Sequence, residues 1–126
     1  MGARVCKNQT LLIEAGADIN KADDDGVTPL YIAAELGQEA IVRALIEAGA
    51  DVNKATDNGW TPLLIAAHNG HEAVVRALIQ AGADVNKATD TGMTPPYMAA
   101  QKGHTAIVQI LGDAVLHEEP NENQPV

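Results

Sequence analysis

The chain repeats itself at a constant step of 33 residues. A Thr-Pro pair stands at 28–29, 61–62 and 94–95, and a glycine lies two residues before each pair. Residues 23–55 and 56–88 differ at only nine positions. Chance does not produce such agreement, so the chain is a tandem array. Units this short bury their apolar faces against their neighbours, and the core is one continuous seam.

Each unit is predicted to begin with a tight turn and a short helix. Gly26 tolerates the positive φ that such a turn requires. Thr28-Pro29 predicts a helix start, because the threonine hydroxyl can accept from a free backbone N–H and proline suits the first helical position. Gly37 predicts the end of this helix in a left-handed conformation. A helix of about two turns is not stable alone in water.

A second, amphipathic helix completes the unit. Ile41, Val42, Leu45 and Ile46 share one face at helical spacing, and Gly49 is predicted to end the helix. The apolar residues of the chain are almost all Ala, Leu, Ile and Val, with no Phe and one Trp. Small side chains, above all the Ala-Ala pair of each first helix, let neighbouring helices approach closely.

Three segments of the unit, residues 26–30, 33–34 and 48–53, resemble the ankyrin repeat. The resemblance covers residues 11 to about 111. It implies an all-α solenoid of stacked helix-turn-helix units, joined by β-turn or hairpin tips. The tips and first helices would line a concave face, and the array would be a scaffold that binds protein.

The sequence departs from that pattern after Thr-Pro-Leu. The family usually has a histidine there that bonds across repeats, whereas this chain has Tyr31, Leu64 and Tyr97. Leu64 cannot make such a bond, so we expect less local rigidity in the second repeat. Pro96 replaces a packing leucine, but a second proline is sterically tolerable in the first helical turn, where N–H groups lack partners.

We expect one domain, residues 1–126, with irregular ends. Residues 1–22 are a partial N-terminal repeat, followed by repeats at 23–55 and 56–88. A C-terminal repeat at 89–117 has a last helix that we expect to run past Gly112 to about His117, and residues 118–126 read as a disordered acidic tail. An incomplete first repeat also suggests a homodimer formed through residues 1–22.

The exit loops are nearly identical in every unit. The repeated loop residues are Asp18, Asp51 and Asp84, and Asn20, Asn53 and Asn86. Their side chains are expected to bond the loop backbone. The family resemblance also implies hydroxylation of the asparagines as a side possibility.

Charge and cysteine content limit the class of partner and the location. The net charge of −9 argues against nucleic acid and anionic membrane surfaces. One cysteine, Cys6, excludes an internal disulfide, so we expect an intracellular, cytoplasmic protein without a signal peptide or transmembrane segment. Five tip acids against three nearby lysines favour a basic protein partner only mildly. These residues are Asp23, Asp24, Asp25, Asp57 and Asp90, and Lys21, Lys54 and Lys87.

Residues that vary on a repeated scaffold are the candidate binding surface. Val27, Trp60 and Met93 follow the turn glycines, and Trp is the residue type most enriched in binding hot spots. The alternative is that these three side chains only pack along their own hairpins, and that the variation is drift. The other candidates lie at the tips or close the first helices: Asp24, Asp25, Asp57, Asn58, Asp90, Thr91, Glu35, Leu36, His68, Asn69, Gln101 and Lys102.

Catalysis and metal binding are disfavoured. His71 and His104 occupy matching positions a full repeat apart, too far for one zinc ion. His68 and His71 lack a convincing third ligand, and Cys6 has no histidine near it in sequence. We therefore expect a protein-interaction module with no enzymatic activity, no metal and no cofactor. The alternative is a structural unit that self-associates through its incomplete N-terminal end.

Overall fold

A computed structural model of the chain describes residues 19–118. Within them lie six helices, arranged as three antiparallel pairs, and no strand. This is the stacked helix-turn-helix architecture that the repeat predicts. The helices are α1 Pro29–Leu36, α2 Glu39–Glu47, α3 Pro62–Asn69, α4 Glu72–Gln80, α5 Pro95–Gln101 and α6 Thr105–Glu118.

A five-residue turn, here called the tip, precedes each first helix; the tips are residues 23–27, 56–60 and 89–93. In the second tip, Thr56 N–H donates to the carbonyl of Trp60 at 2.9 Å, and Gly59 N–H donates back to the Thr56 carbonyl at 2.9 Å. Gly59 has φ +85°, a value that side chains disfavour. The predicted turn is present in all three repeats, because the same bonds recur in each tip.

The first helices begin and end as their sequence predicts. In α3, the Thr61 hydroxyl accepts from Leu64 N–H at 3.2 Å, and Pro62 occupies the first turn. Gly70 ends the helix at φ +81°. The two-proline start is also tolerated, since α5 begins at Pro95 with Thr94 as its cap. Pro96 is only half-buried, whereas the equivalent Leu30 and Leu63 are fully buried.

One core cluster runs through the array. First helices pack on first helices and second helices on second helices, so the two layers stay continuous from repeat to repeat. The Ala33-Ala34 and Ala66-Ala67 pairs are completely buried between them. Each short helix therefore gains most of its stability from its neighbours rather than from its own hydrogen bonds.

Asparagine side chains link the exit loops of successive repeats. Asn53 Oδ1 accepts from the backbone N–H of Asp84 at 2.7 Å, and Asn20 Oδ1 accepts from that of Asp51 at 2.7 Å. Both residue types thus bond loop backbone, but these two asparagines reach the loop of the next repeat. Asp51 bonds its own loop, since its Oδ1 accepts from Asn53 N–H at 3.0 Å. The asparagine reaches the next loop because the stacked loops present free N–H groups to it.

Histidines make a second set of links at the C-terminal ends of the first helices. His71 Nε2 contacts the Glu35 carbonyl at 2.9 Å, and His104 Nε2 contacts the His68 carbonyl at 3.2 Å. Because a carbonyl only accepts, each ring must carry its proton on Nε2. Leu64 makes no such link but is fully buried. The second repeat is thus linked to both neighbouring repeats by histidines rather than by position 64.

The last helix is longer than its counterparts. α6 passes through Gly112 as expected and includes Glu118, the last residue that the structure describes. Residues 1–18, which hold most of the predicted partial repeat and the proposed dimer contact, lie outside the described residues. Residues 119–126 of the predicted tail lie outside them too.

Replacing Asn53 with alanine should uncouple two neighbouring loops. We expect Asn53→Ala to lower the free energy of unfolding by about 1 kcal/mol, the usual worth of one such hydrogen bond. The matched control is Asn86→Ala, because Asn86 has no following exit loop to bond. The position one 33-residue repeat after Asp84 is 117, which lies within α6. Urea unfolding followed by circular dichroism measures both, and equal losses in the two variants would contradict a coupling role for Asn53.

Gly70 and Gly103 provide a second matched pair. Both have φ near +80°, so alanine is strained equally at each. A Cβ at Gly70 would lie 2.8 Å from Cε1 of His104, whereas one at Gly103 would have no described heavy atom within 4 Å. We expect Gly70→Ala to be more destabilising than Gly103→Ala by about 1 kcal/mol, since the ring must shift and its hydrogen bond weaken. Thermal and urea unfolding of the two variants would show no difference if the ring moves freely.

Candidate functional site

A groove of about 630 Å³ opens between the first two repeats. It lies where the first and second tips meet the helices α1 and α3. Its wall combines aromatic and aliphatic side chains with polar tip residues. The lining residues are Asp25, Val27, Tyr31, Thr56, Asp57, Asn58, Trp60 and Ile65.

Backbone hydrogen bonds between tips hold the groove in shape. Asp57 N–H donates to the Asp25 carbonyl at 2.9 Å, and Asp90 N–H donates to the Asn58 carbonyl at 3.2 Å. The approach is close, because a Cβ at Gly26 would lie 2.9 Å from the Asp57 backbone nitrogen. The side chains of both tips are therefore presented at a fixed spacing.

Trp60 belongs to both the groove and the protein interior. Its side chain lines the groove, is half-buried, and packs against the core cluster. Its ring meets that of His68 at a centroid distance of 5.5 Å and an angle of 75°, an edge-to-face contact. The side chain of Trp60 therefore contacts the interior and the His68 ring and also lines the groove.

Tyr31 is a groove residue that the sequence reading did not select. Burial raises the pKa of its hydroxyl to about 12 from an ordinary value of 10.0, and the negative charge of Glu35 adds to the shift. The signal was available, because the position varies between repeats as Tyr31, Leu64 and Tyr97. In the sequence alone, this variation is interpreted as the loss of the family histidine that bonds across repeats. Thr56 and Ile65 were also missed.

Asp24 is exposed on the first tip, and the remaining candidates from the first two repeats lie at the ends of α1 and α3, outside the groove lining. Asn69 Nδ2 donates to the Glu35 carbonyl at 3.1 Å, and its Oδ1 pairs with His68 Nδ1 at 3.0 Å. Leu36 projects beside them with 53% of its surface exposed. These residues form a polar edge with one exposed apolar side chain rather than a pocket.

The third repeat contributes little to the groove. Asp90, Thr91 and Met93 are in the third tip, one repeat beyond the two tips that line the groove. Gln101 Nε2 donates to the exposed Tyr97 hydroxyl at 3.2 Å, and Lys102 caps the end of α5. The structure therefore brings Asp25, Val27, Asp57, Asn58 and Trp60 together and leaves the other candidates apart.

The tip acids differ in what they do. Asp23 Oδ1 accepts from the N–H groups of Asp25 and Val27 at 2.9 Å each, so it closes its own turn. In the other tips a threonine hydroxyl does this, as when Thr56 accepts from Trp60 N–H at 3.2 Å. Asp25 and Asp57 instead line the groove. The carboxylate of Asp23 therefore has a structural role in its own turn in addition to its charge.

Positive charge is kept away from the groove. No Lys or Arg is among its lining residues. The ion pairs within residues 19–118 join Arg43 to Glu39 and Arg76 to Glu72, along the second helices. The groove thus carries two carboxylates without a cationic neighbour in its wall.

A metal site is not found among the described residues. No group of three or more His, Cys, Asp or Glu side chains in residues 19–118 is arranged to hold an ion. The rings of His71 and His104 contact backbone carbonyls of the preceding repeat instead.

Comparison with known families agrees with the stacked helix pairs. The family model for ankyrin repeats (3 copies) matches residues 4–56 and 49–124. The chain belongs to the ankyrin repeat family. Ankyrin repeats are in general protein-interaction modules, and the family is typically non-catalytic. No curated protein sequence matches the chain.

The family assignment establishes the architecture of this ankyrin array. Within residues 19–118, no helix combines the length and the apolar character needed to cross a membrane. The groove lies between the tips and the first helices of two successive repeats, and Tyr31 and Trp60 are the aromatic residues of its lining.

Stability of this ankyrin array should fall at high pH because of Tyr31. An unfolded tyrosine loses its proton near pH 10, whereas folded Tyr31 keeps it to about pH 12. The contribution is therefore complete below pH 10 and is lost as the pH rises towards 12. We expect the free energy of unfolding to decline across that window in the wild type and to decline less in Tyr31→Phe. Urea unfolding at a series of pH values measures this, and parallel curves for the two proteins would contradict it.

Proposed function

We propose that this ankyrin array binds a partner protein through the groove and the tips, and that it catalyses no reaction. The observation that carries the proposal is the groove itself. It has a volume typical of binding sites, and its wall includes the only Trp of the chain. A half-buried Trp beside a cavity offers a large surface with little rotamer entropy to lose.

The charge of the groove supports a basic partner. Asp25 and Asp57 line it, and Asp24 and Asp90 are exposed on the tips beside them. Such a surface steers basic proteins towards it and disfavours acidic ones. We propose that the candidate residues outside the groove lining form the rim of the same interface. These are Glu35, Leu36, His68, Asn69, Asp90, Thr91, Met93, Gln101 and Lys102. The array would act as one domain with the boundaries that the repeat predicts.

The alternative is self-association through residues 1–22. Residues 1–18 of that segment lie outside the described residues, so its support is the sequence pattern alone. Sedimentation velocity over a wide concentration range separates the two functions, because only self-association makes the mass depend on concentration.

Trp60 is the side chain on which the proposed function turns. We expect Trp60→Ala and Trp60→Met each to weaken partner binding by at least ~2 kcal/mol, roughly 30-fold in Kd. Methionine is the residue that the third tip carries at this position, so Trp60→Met should keep the hairpin intact. The tip bonds use the backbone of residue 60 rather than its side chain.

The measurement is quantitative capture of partners from cell extract on the immobilised array, with thermal unfolding of each variant alongside. Arg76→Ala is the control, because this exposed residue lies on α4 and its surface ion pair contributes little stability. Capture that Trp60→Met leaves unchanged, or that falls only in step with thermal stability, would show that Trp60 is structural.

A further inference from the structure

We infer that the groove seats the guanidinium or ammonium group of an arginine or lysine side chain, carried by an extended segment of the partner protein. The inference rests on the proposed function and names the chemistry of the partner. It follows from the juxtaposition of two aromatic rings and two carboxylates in one cavity, and each step can be examined separately.

The aromatic walls supply a surface that attracts cations. Tyr31 lies on α1 of the first repeat and Trp60 lies in the tip of the second repeat, and both line the same cavity. Each is only half-buried, so part of each ring remains accessible from the groove. A cation near the face of Trp or Tyr is attracted by the ring quadrupole, and arginine uses this contact most often.

The carboxylates supply the counter-charge. Asp25 and Asp57 are exposed at the mouth of the groove and take part in no ion pair within residues 19–118. The link between their tips is made by backbone atoms, Asp57 N–H to Asp25 carbonyl, so it does not occupy either carboxylate. The two carboxylates can therefore accept hydrogen bonds from a bound cationic side chain without disturbing the stack.

The size of the cavity indicates a segment rather than an isolated side chain. A volume of about 630 Å³ lies within the ~300–1,000 Å³ of small-molecule sites. One long side chain fills only part of such a space, and the rest is available to the flanking residues of an extended chain. Val27 and Ile65 give those flanking residues an apolar surface to cover.

Trp60 also provides the assay, because it is the only Trp of the chain and its side chain lines the groove. The probe is an acetylated, amidated nonapeptide of sequence Gly-Ser-Gly-Arg-Gly-Arg-Gly-Ser-Gly, titrated into the full chain. Matched peptides carry lysine or citrulline in place of both arginines, and citrulline keeps the shape of arginine without its charge. We expect saturable changes with arginine and lysine, and binding at least ~10-fold weaker with citrulline.

Charge variants test the carboxylates directly. Asp25→Asn places there the residue that the second tip carries at the equivalent position, Asn58, and Asp57→Asn is its partner substitution. We expect the double variant to bind the arginine peptide ~10-fold more weakly and to lose most of the dependence on salt. The control is the double variant Glu47→Gln with Asp113→Asn, which changes the net charge equally on exposed helical positions outside the groove. It should bind within about 2-fold of the wild type.

The outcomes separate this inference from the proposed function. Equal binding of the arginine and citrulline peptides, or equal weakening by the two double variants, overturns the inference. If neither peptide binds while partner capture still depends on Trp60, the inference is wrong and the proposed function stands. If the arginine peptide binds as stated but capture does not depend on Trp60, the groove chemistry stands and the proposed function is wrong. Thermal unfolding of every variant identifies any loss that comes from misfolding.

Discussion

Hydrogen bonds between repeats are the constraint on which this structure depends. Helices of seven to nine residues, such as α2 and α5, cannot persist alone in water. They persist because each repeat is hydrogen-bonded to the next at three places: the tips, the ends of the first helices and the exit loops. In each, a donor or acceptor left free at the edge of one unit is matched by its neighbour, as when Asn53 accepts from Asp84. The apolar seam supplies the driving force, and these bonds set the register.

Because that register is set largely by repeated residues, the variable residues can change without altering how the repeats stack. Position 27 and its equivalents can hold Val, Trp or Met without disturbing the tip, since the backbone closes it. Between the first two repeats, the variable residues Tyr31 and Trp60 line one groove. Leu64, the equivalent of Tyr31 in the second repeat, lies fully in the core instead.

Local signals in the sequence predicted the local structure well. Thr-Pro predicted the starts of the first helices, and a glycine lies at or one residue beyond the C-cap of each of α1 to α5, because capping and positive φ depend on a few adjacent residues. The direction of the Asn53 bond could not be predicted, since every repeat presents the same loop and a period alone does not tell a bond within a loop from one between loops. The groove was only partly predicted for a related reason. Residues such as Tyr31 and Asp57, which line it together, are a repeat apart in sequence, and their common wall exists only after stacking.

The same stacking explains how the groove can be acidic without weakening the fold. Carboxylates brought together repel one another, and a scaffold that relied on their side chains for its own bonds would suffer from any partner that engaged them. Here Asp23 closes its turn through its carboxylate and lies outside the groove lining, whereas Asp25 and Asp57 join their tips through the main chain. The structural role and the exposed charge are therefore carried by different atoms of the same residues. A ligand can engage the carboxylates while the backbone link remains in place, so binding at this groove should stabilise the stack rather than compete with it.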